Sequence, residues 1–185
     1  MISLEKSMLS GGSEKSMLSE PLFDGAYPAL LFAFRYSGQQ YSLSVVGKMM
    51  GGRGGSGKGL TGLDGAAQAG IIRAEVGQLD PWERDVLIAR FSVDRKDAIQ
   101  AKINLIAVAA SALPSGMNSR RLIDALVQRY FGEKMTFEDM ALRFGVGKDT
   151  IRKDRWSPVM KKLHDIEDRA HLNIYDRLKS ACIIC

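Results

Sequence analysis

Cysteine is nearly missing from this sequence. Its 185 residues hold two, Cys182 and Cys185, both at the extreme C-terminus. A disulfide framework is excluded, and a reducing cytoplasm is the expected compartment. Long apolar runs are missing too. The longest, around "INLIAVAASAL", falls well short of the roughly 20 residues that cross a bilayer and has the size of a buried helix. No membrane partner is expected. The N-terminal "MISLEKSMLS" lacks a basic stretch followed by an apolar block, so it does not read as a secretory signal. Histidine is scarce as well: His164 and His171 stand about two helical turns apart, too far for an adjacent ligand pair. The cysteines have zinc-like spacing, but there is no second cysteine pair. A Cys2His2 site from these four is the one metal alternative; the plainer reading is a terminus that frays. No nucleophile, base and orienter set stands out. The expectation is no enzyme, no cofactor and no metal.

What is present is the composition of a globular protein with a basic balance. Hydrophobic residues make up 45%, charged residues 25%, and the net charge is +5. A polyanionic partner is favoured by that surplus, though charge alone does not identify one.

The first 23 residues carry "EKSMLS" twice and read as a flexible tail. Residues 24–113 read as an N-terminal helical region, in which "ALLFAFRY" fits either a helix or a buried strand. A glycine-rich basic loop spans 47–65. Its core, "GGRGGSGKG", meets seven of the eight positions of a phosphate-binding loop, but the eighth is Gly59 where a magnesium-holding Ser or Thr belongs. The plainer reading is a basic arm, with Lys48, Arg53 and Lys58 available to a phosphate backbone.

Beyond the loop the chain reads as helices. "AAQAGIIRAEVGQL" is one, ending near Gly77. "DPWE" opens the next, with Asp80 as cap accepting from the Glu83 amide and Pro81 in the first position. "KDAIQAKINLIAVAASAL" is a third, and "LPSG" reads as a linker. "RRLIDALVQRYF" carries Leu122, Ala125, Leu126 and Tyr130 on one stripe, with Gly132 ending it. Ser157 and Pro158 read as the cap and opening of a last helix, whose inward stripe is Val159, Leu163, Ile166, Ala170, Ile174 and Leu178. The expected fold is mostly α: a flexible N-terminal tail, a Gly-rich loop, and a helical domain over 117–179.

The window "TFEDMALRFGVGKDTIRKDRW", 136–156, is the most informative. Thr136 can cap a helix, with Asp139 in the capping-box position. Ala141, Gly145 and Ile151 fall where a DNA-binding helix-turn-helix needs a small residue, a sharp turn and an aliphatic plug. On the outward face Lys148, Arg152 and Arg155 share a stripe, with Asp149 and Lys153 beside them. Lys148, Asp149, Arg152 and Lys153 are the candidates for reading base edges. Arg143, Arg155, Lys161 and Lys162 are the candidates for phosphate contacts. Across 141–162 bases outnumber acids by five, as many as in the whole chain. Double-stranded DNA is the expected partner.

The run from Leu122 to Leu163 resembles region 4 of bacterial sigma factors. It is more similar still to the Q antitermination proteins of lambdoid phages, of the phage 21 type. Tyr130, Phe131, Met135, Thr136, Phe137 and Ala141 carry that likeness, which extends over 119–178. The resemblance implies a phage factor that binds DNA near a promoter, joins bacterial RNA polymerase, and lets it read through terminators into late genes. It implies a place in the host cytoplasm, at the nucleoid. The chain departs from the lambda type in lacking its cysteine-rich zinc segment. The alternatives are a repressor or activator acting by promoter occupancy, an adaptor that binds polymerase without DNA, and a nucleotide-dependent protein using the 51–59 loop. Oligomeric state is not legible.

Overall fold

The computed structural model describes residues 22–42, 63–114 and 119–185. Residues 1–21 of the tail, most of the glycine-rich loop with its 51–59 core, and residues 115–118 lie outside the described residues, whereas Leu22 and Phe23 at the end of the expected tail are packed against a core. Those that are described form a mostly helical protein. In chain order the elements are α1 (Ala26–Ser42), α2 (Leu63–Gly77), α3 (Pro81–Phe91), α4 (Arg95–Ala110), α5 (Arg120–Tyr130) and α6 (Phe137–Phe144). A three-residue α7 (Lys148–Thr150) then runs through a π-helical stretch (Ile151–Trp156) into α8 (Ser157–Ser180). The ambiguous "ALLFAFRY" is thus helix, and α2 begins three residues earlier than its apolar run suggests.

Helix α8 is the spine. All six residues of its expected inward stripe are at most 1% exposed. The five that are larger than alanine gain roughly 1.5–3 kcal/mol each on burial, before the entropy of ordering them is subtracted. Val159, Leu163 and Ile166 enter one core with α3 to α6, alongside Leu105, Leu122, Leu126, Met140 and Ile151. Ala170, Ile174 and Leu178 enter a second core with α1, α2 and α3, alongside Leu30, Ile72, Leu87 and Phe91. Residues on both sides of the "LPSG" stretch, and Leu113 within it, share the first core.

Local signals succeed where backbone geometry decides and fail where packing does. At α6 the capping box is complete. Thr136 accepts from the Asp139 amide, and the Asp139 carboxylate accepts from the Thr136 amide and hydroxyl. The hydroxyl holds that carboxyl below its ordinary range. At α3 the expected cap bond is absent. Asp80 makes no side-chain bond, and the helix starts on the geometry that Pro81 fixes. Glu83 points into the protein instead, 3% exposed, and accepts from Asn173 Nδ2 at 2.8 Å. The buried Asp85 is likewise held by Asn104 Nδ2 at 2.9 Å, so neither carboxylate is left unsatisfied.

Two further expectations are corrected. Ser157 does not cap a new helix. Trp156 and Ser157 are both helical, and the rod runs on from Lys148 to Ser180. Pro158 would press on the Asp154 carbonyl of a regular α-turn and give it no amide. The wider π-turn just before the proline accommodates both problems. The C-terminus, expected to fray, is packed down. Cys182 is left-handed, with φ 54°. The Ile183 amide reaches back to the Leu178 carbonyl at 2.9 Å and the Cys182 amide to Lys179 at 3.0 Å. This is a Schellman cap with its apolar contact. Ile183 and Ile184 are 3% and 4% exposed, and a parallel bridge joins Phe23 to Ile184.

Candidate nucleic-acid interface

The outward cationic surface is built from a short inward anchor. Met140 on α6 and Ile151 at the head of the π-stretch are both fully buried in the same core. Between them the chain turns at Gly145, which is left-handed with φ 65° and whose amide bonds to the Ala141 carbonyl at 3.0 Å. Gly147 then caps the next helical segment, and Val146 packs partly under the turn. Ala141 is half-buried on the same side.

With Ile151 held inward, Lys148, Asp149, Arg152 and Lys153 all face solvent. Lys148 pairs with Glu138 across the turn, which holds the Glu138 carboxyl below its ordinary value. Arg152 lies 3.9 Å from Asp149. Arg143 is exposed near the end of α6, and Lys161 is exposed on the first turns of α8; Lys162 is half-buried. Arg155 departs from the expected stripe. A π-turn advances less per residue than an α-turn, so three residues beyond Arg152 the side chain lies nearer the body. It is half-buried, with its Nε shielded from solvent.

Arg129 is an organising residue that spacing did not reveal. Its guanidinium lies 4.2 Å from the Phe137 ring centre and 5.5 Å from that of Trp156, and it donates to the Met135 carbonyl. One cation thus ties the end of α5, the loop, the start of α6 and the end of the π-stretch. The only hint in the sequence is that aromatic residues flank both ends of the window.

Behind this surface, Arg90 of α3 grips Glu167 of α8 through two parallel bonds. Tyr130 of α5 donates to the same carboxylate, and Arg90 also lies over the rings of Tyr130 and Phe131 at 5.4 and 5.1 Å. Burial pushes the Glu167 carboxyl up, but the Arg90 and Tyr130 bonds outweigh it and hold it below its ordinary value. The same contact raises Arg90, while burial first and Glu167 second raise Tyr130. An open cavity of about 760 Å³ adjoins this cluster, lined in part by Lys161, His164 and His171.

His164 and Asp168 are 3.7 Å apart, and Cys182 and Cys185 are exposed thiols. Among the described residues, no group of three or more His, Cys, Asp or Glu could hold a metal ion. Among the same residues no helix is long and apolar enough to cross a membrane. No protein-family model matches the chain, and neither a curated protein nor a solved structure matches it.

Proposed function

We propose that the chain is a sequence-specific DNA-binding transcription regulator in which α6, the Gly145 turn and residues 148–156 form a helix-turn-helix. One observation carries the reading. Ile151 is fully buried while Lys148, Arg152 and Lys153, on either side of it in sequence, are exposed on a segment begun by a glycine turn. Lys148, Asp149, Arg152 and Lys153 read or approach base edges. Arg143, Lys161, Lys162 and the half-buried Arg155 hold phosphates.

The resemblance to Q antitermination proteins supplies the mode of action: DNA binding near a promoter, transfer onto bacterial RNA polymerase, and terminator readthrough at the host nucleoid. Selection of bound genomic fragments gives the target. On that target Arg152→Ala loses roughly 1–3 kcal/mol of discrimination. Lys161→Ala weakens binding on every sequence and lowers the salt slope by about one. Equal affinity of Arg152→Ala and the parent chain for target and random DNA would remove Arg152 from base reading. Readthrough on a purified template separates antitermination from promoter occupancy alone.

A further inference from the structure

Helix α4 is apolar on more faces than its neighbours cover. Its buried side, Ala101, Leu105 and Ala109, enters the core. Gln100 and Asn104 turn to α3, where Asn104 bonds to Asp85. Lys102 leans over the Phe131 ring, 5.9 Å away, just past the end of α5. What remains outward is Ile99, Ile103 and Ala107, four residues apart, with Ile99 46% and Ile103 40% exposed. From Ile103 to Leu113 the helix and its end carry no charge. A helix apolar on opposite faces is ordinarily covered on both.

We infer that this stripe is the contact between two copies of the chain, packed antiparallel through α4 about a two-fold axis at Ile103. Two features select a second copy. In that register Ile103 meets its own counterpart and Ile99 meets Ala107, so bulky residues face small ones on both sides of the axis, as an isologous contact requires. The charges complement as well. The last turn of α4 has no basic residue. The antiparallel partner brings its exposed Arg95 and Lys96 beside those C-terminal carbonyls, opposite Ser111 and Ala110, where the helix dipole favours cations. The small area bears on the lifetime of the contact rather than on the choice of partner. One helix pair covers well under the roughly 800 Å² per partner of a standard interface. The dimer is therefore a reversible, concentration-dependent one. This inference does not rest on DNA binding.

The test uses the full chain with Cys182 and Cys185 replaced by Ser. Under a mild thiol oxidant such as diamide, Ile103→Cys cross-links to itself. Ile99→Cys and Ala107→Cys cross-link to each other when mixed, and neither does so alone. Ile71→Cys, 48% exposed on α2, stays monomeric and serves as the control for random collision. In sedimentation equilibrium the parent chain shows a reversible dimer that Ile103→Lys abolishes with its helical content unchanged. Ile103 is already partly in water, so the lysine has no core to disrupt. A parent chain that is monomeric at all concentrations overturns the inference, as does a dimer that survives Ile103→Lys. Self-linking by Ile99→Cys as strong as that of Ile103→Cys overturns the antiparallel register.

Discussion

Arg90 and Glu167 meet as two forks: Nε reaches Oε1 and Nη2 reaches Oε2, each at 2.8 Å. They lie 77 residues apart and clamp α3 to α8 where the two cores adjoin. Because the folded Glu167 carboxyl titrates below its ordinary value of 4.5, its contribution is complete above that range and is lost as pH falls through the lower folded value. Glu167→Gln should cost roughly 1–3 kcal/mol at pH 7, since the arginine side chain keeps 35% of its surface in water and the pair is partly screened. Urea denaturation at pH 7 and pH 3.5 checks both parts. The variant should lose less stability than the parent on acidification, and parallel losses would assign the acid response to other carboxylates.

Two left-handed residues predict opposite responses. A Cβ added at Gly145 would meet nothing within 4 Å, so the cost of Gly145→Ala is backbone strain alone, about 1–2 kcal/mol. Gly145→Asn should cost less, because asparagine tolerates this region. Cys182 sits in the same region with a side chain, and Cys182→Gly should gain up to about 1 kcal/mol. Thermal unfolding of the three variants ranks them. Equal effects for alanine and asparagine at Gly145 would mean that the turn relaxes.

Sequence periodicity located α8's inward stripe residue for residue, and cap chemistry located Thr136, Gly145 and Gly147. Those features are local: a stripe repeats every three or four residues, and a cap spans four. The failures share a different origin. Ser157–Pro158 carries a start signal, yet Ile151 and Val159 on either side of it are both fully buried in one core. Continuing the rod keeps both inside, and the cost at Pro158 is absorbed by a π-turn rather than a new helix. Arg155 lost its place on the stripe for the same reason. Asp80 lost its bond because proline alone suffices there. The buried Ile183 and Ile184 looked like a frayed end because their partner, Phe23, is 160 residues away. Arg129 was invisible because its two aromatic partners converge only in the fold.

That C-terminal clasp gives a third expectation. Ending the chain at Ala181 removes two buried isoleucines and the amide that caps Leu178. The loss should be at least about 3 kcal/mol, given the usual range for large apolar deletions. Replacing both exposed cysteines by serine, by contrast, should move stability by less than about 0.5 kcal/mol. Denaturant midpoints settle the matter. A truncated chain as stable as the parent would show that α1 and α8 hold without the clasp.

The Glu138–Lys148 pair leads to the last expectation, which rests on the DNA-binding reading. A base-reading lysine engaged by a neighbouring carboxylate must exchange that partner for DNA. On a target site that exchange is made in full; on random sequence the lysine can stay on Glu138 and incur no exchange cost. The carboxylate also repels every phosphate alike, at a distance where one charge is worth about 1 kcal/mol or less in water. Glu138→Gln should therefore tighten binding to random duplexes by about fivefold at low salt and tighten target binding more, because the target complex also sheds the exchange cost. The ratio between the two rises along with the affinity. Because Glu138 is exposed and the Thr136–Asp139 capping box is untouched, α6 should keep its stability. Paired titrations of target and random DNA across a salt series measure this directly. If Glu138→Gln raises both affinities by one common factor, the carboxylate contributes only general repulsion, and Lys148 belongs with the phosphate contacts rather than with the readers.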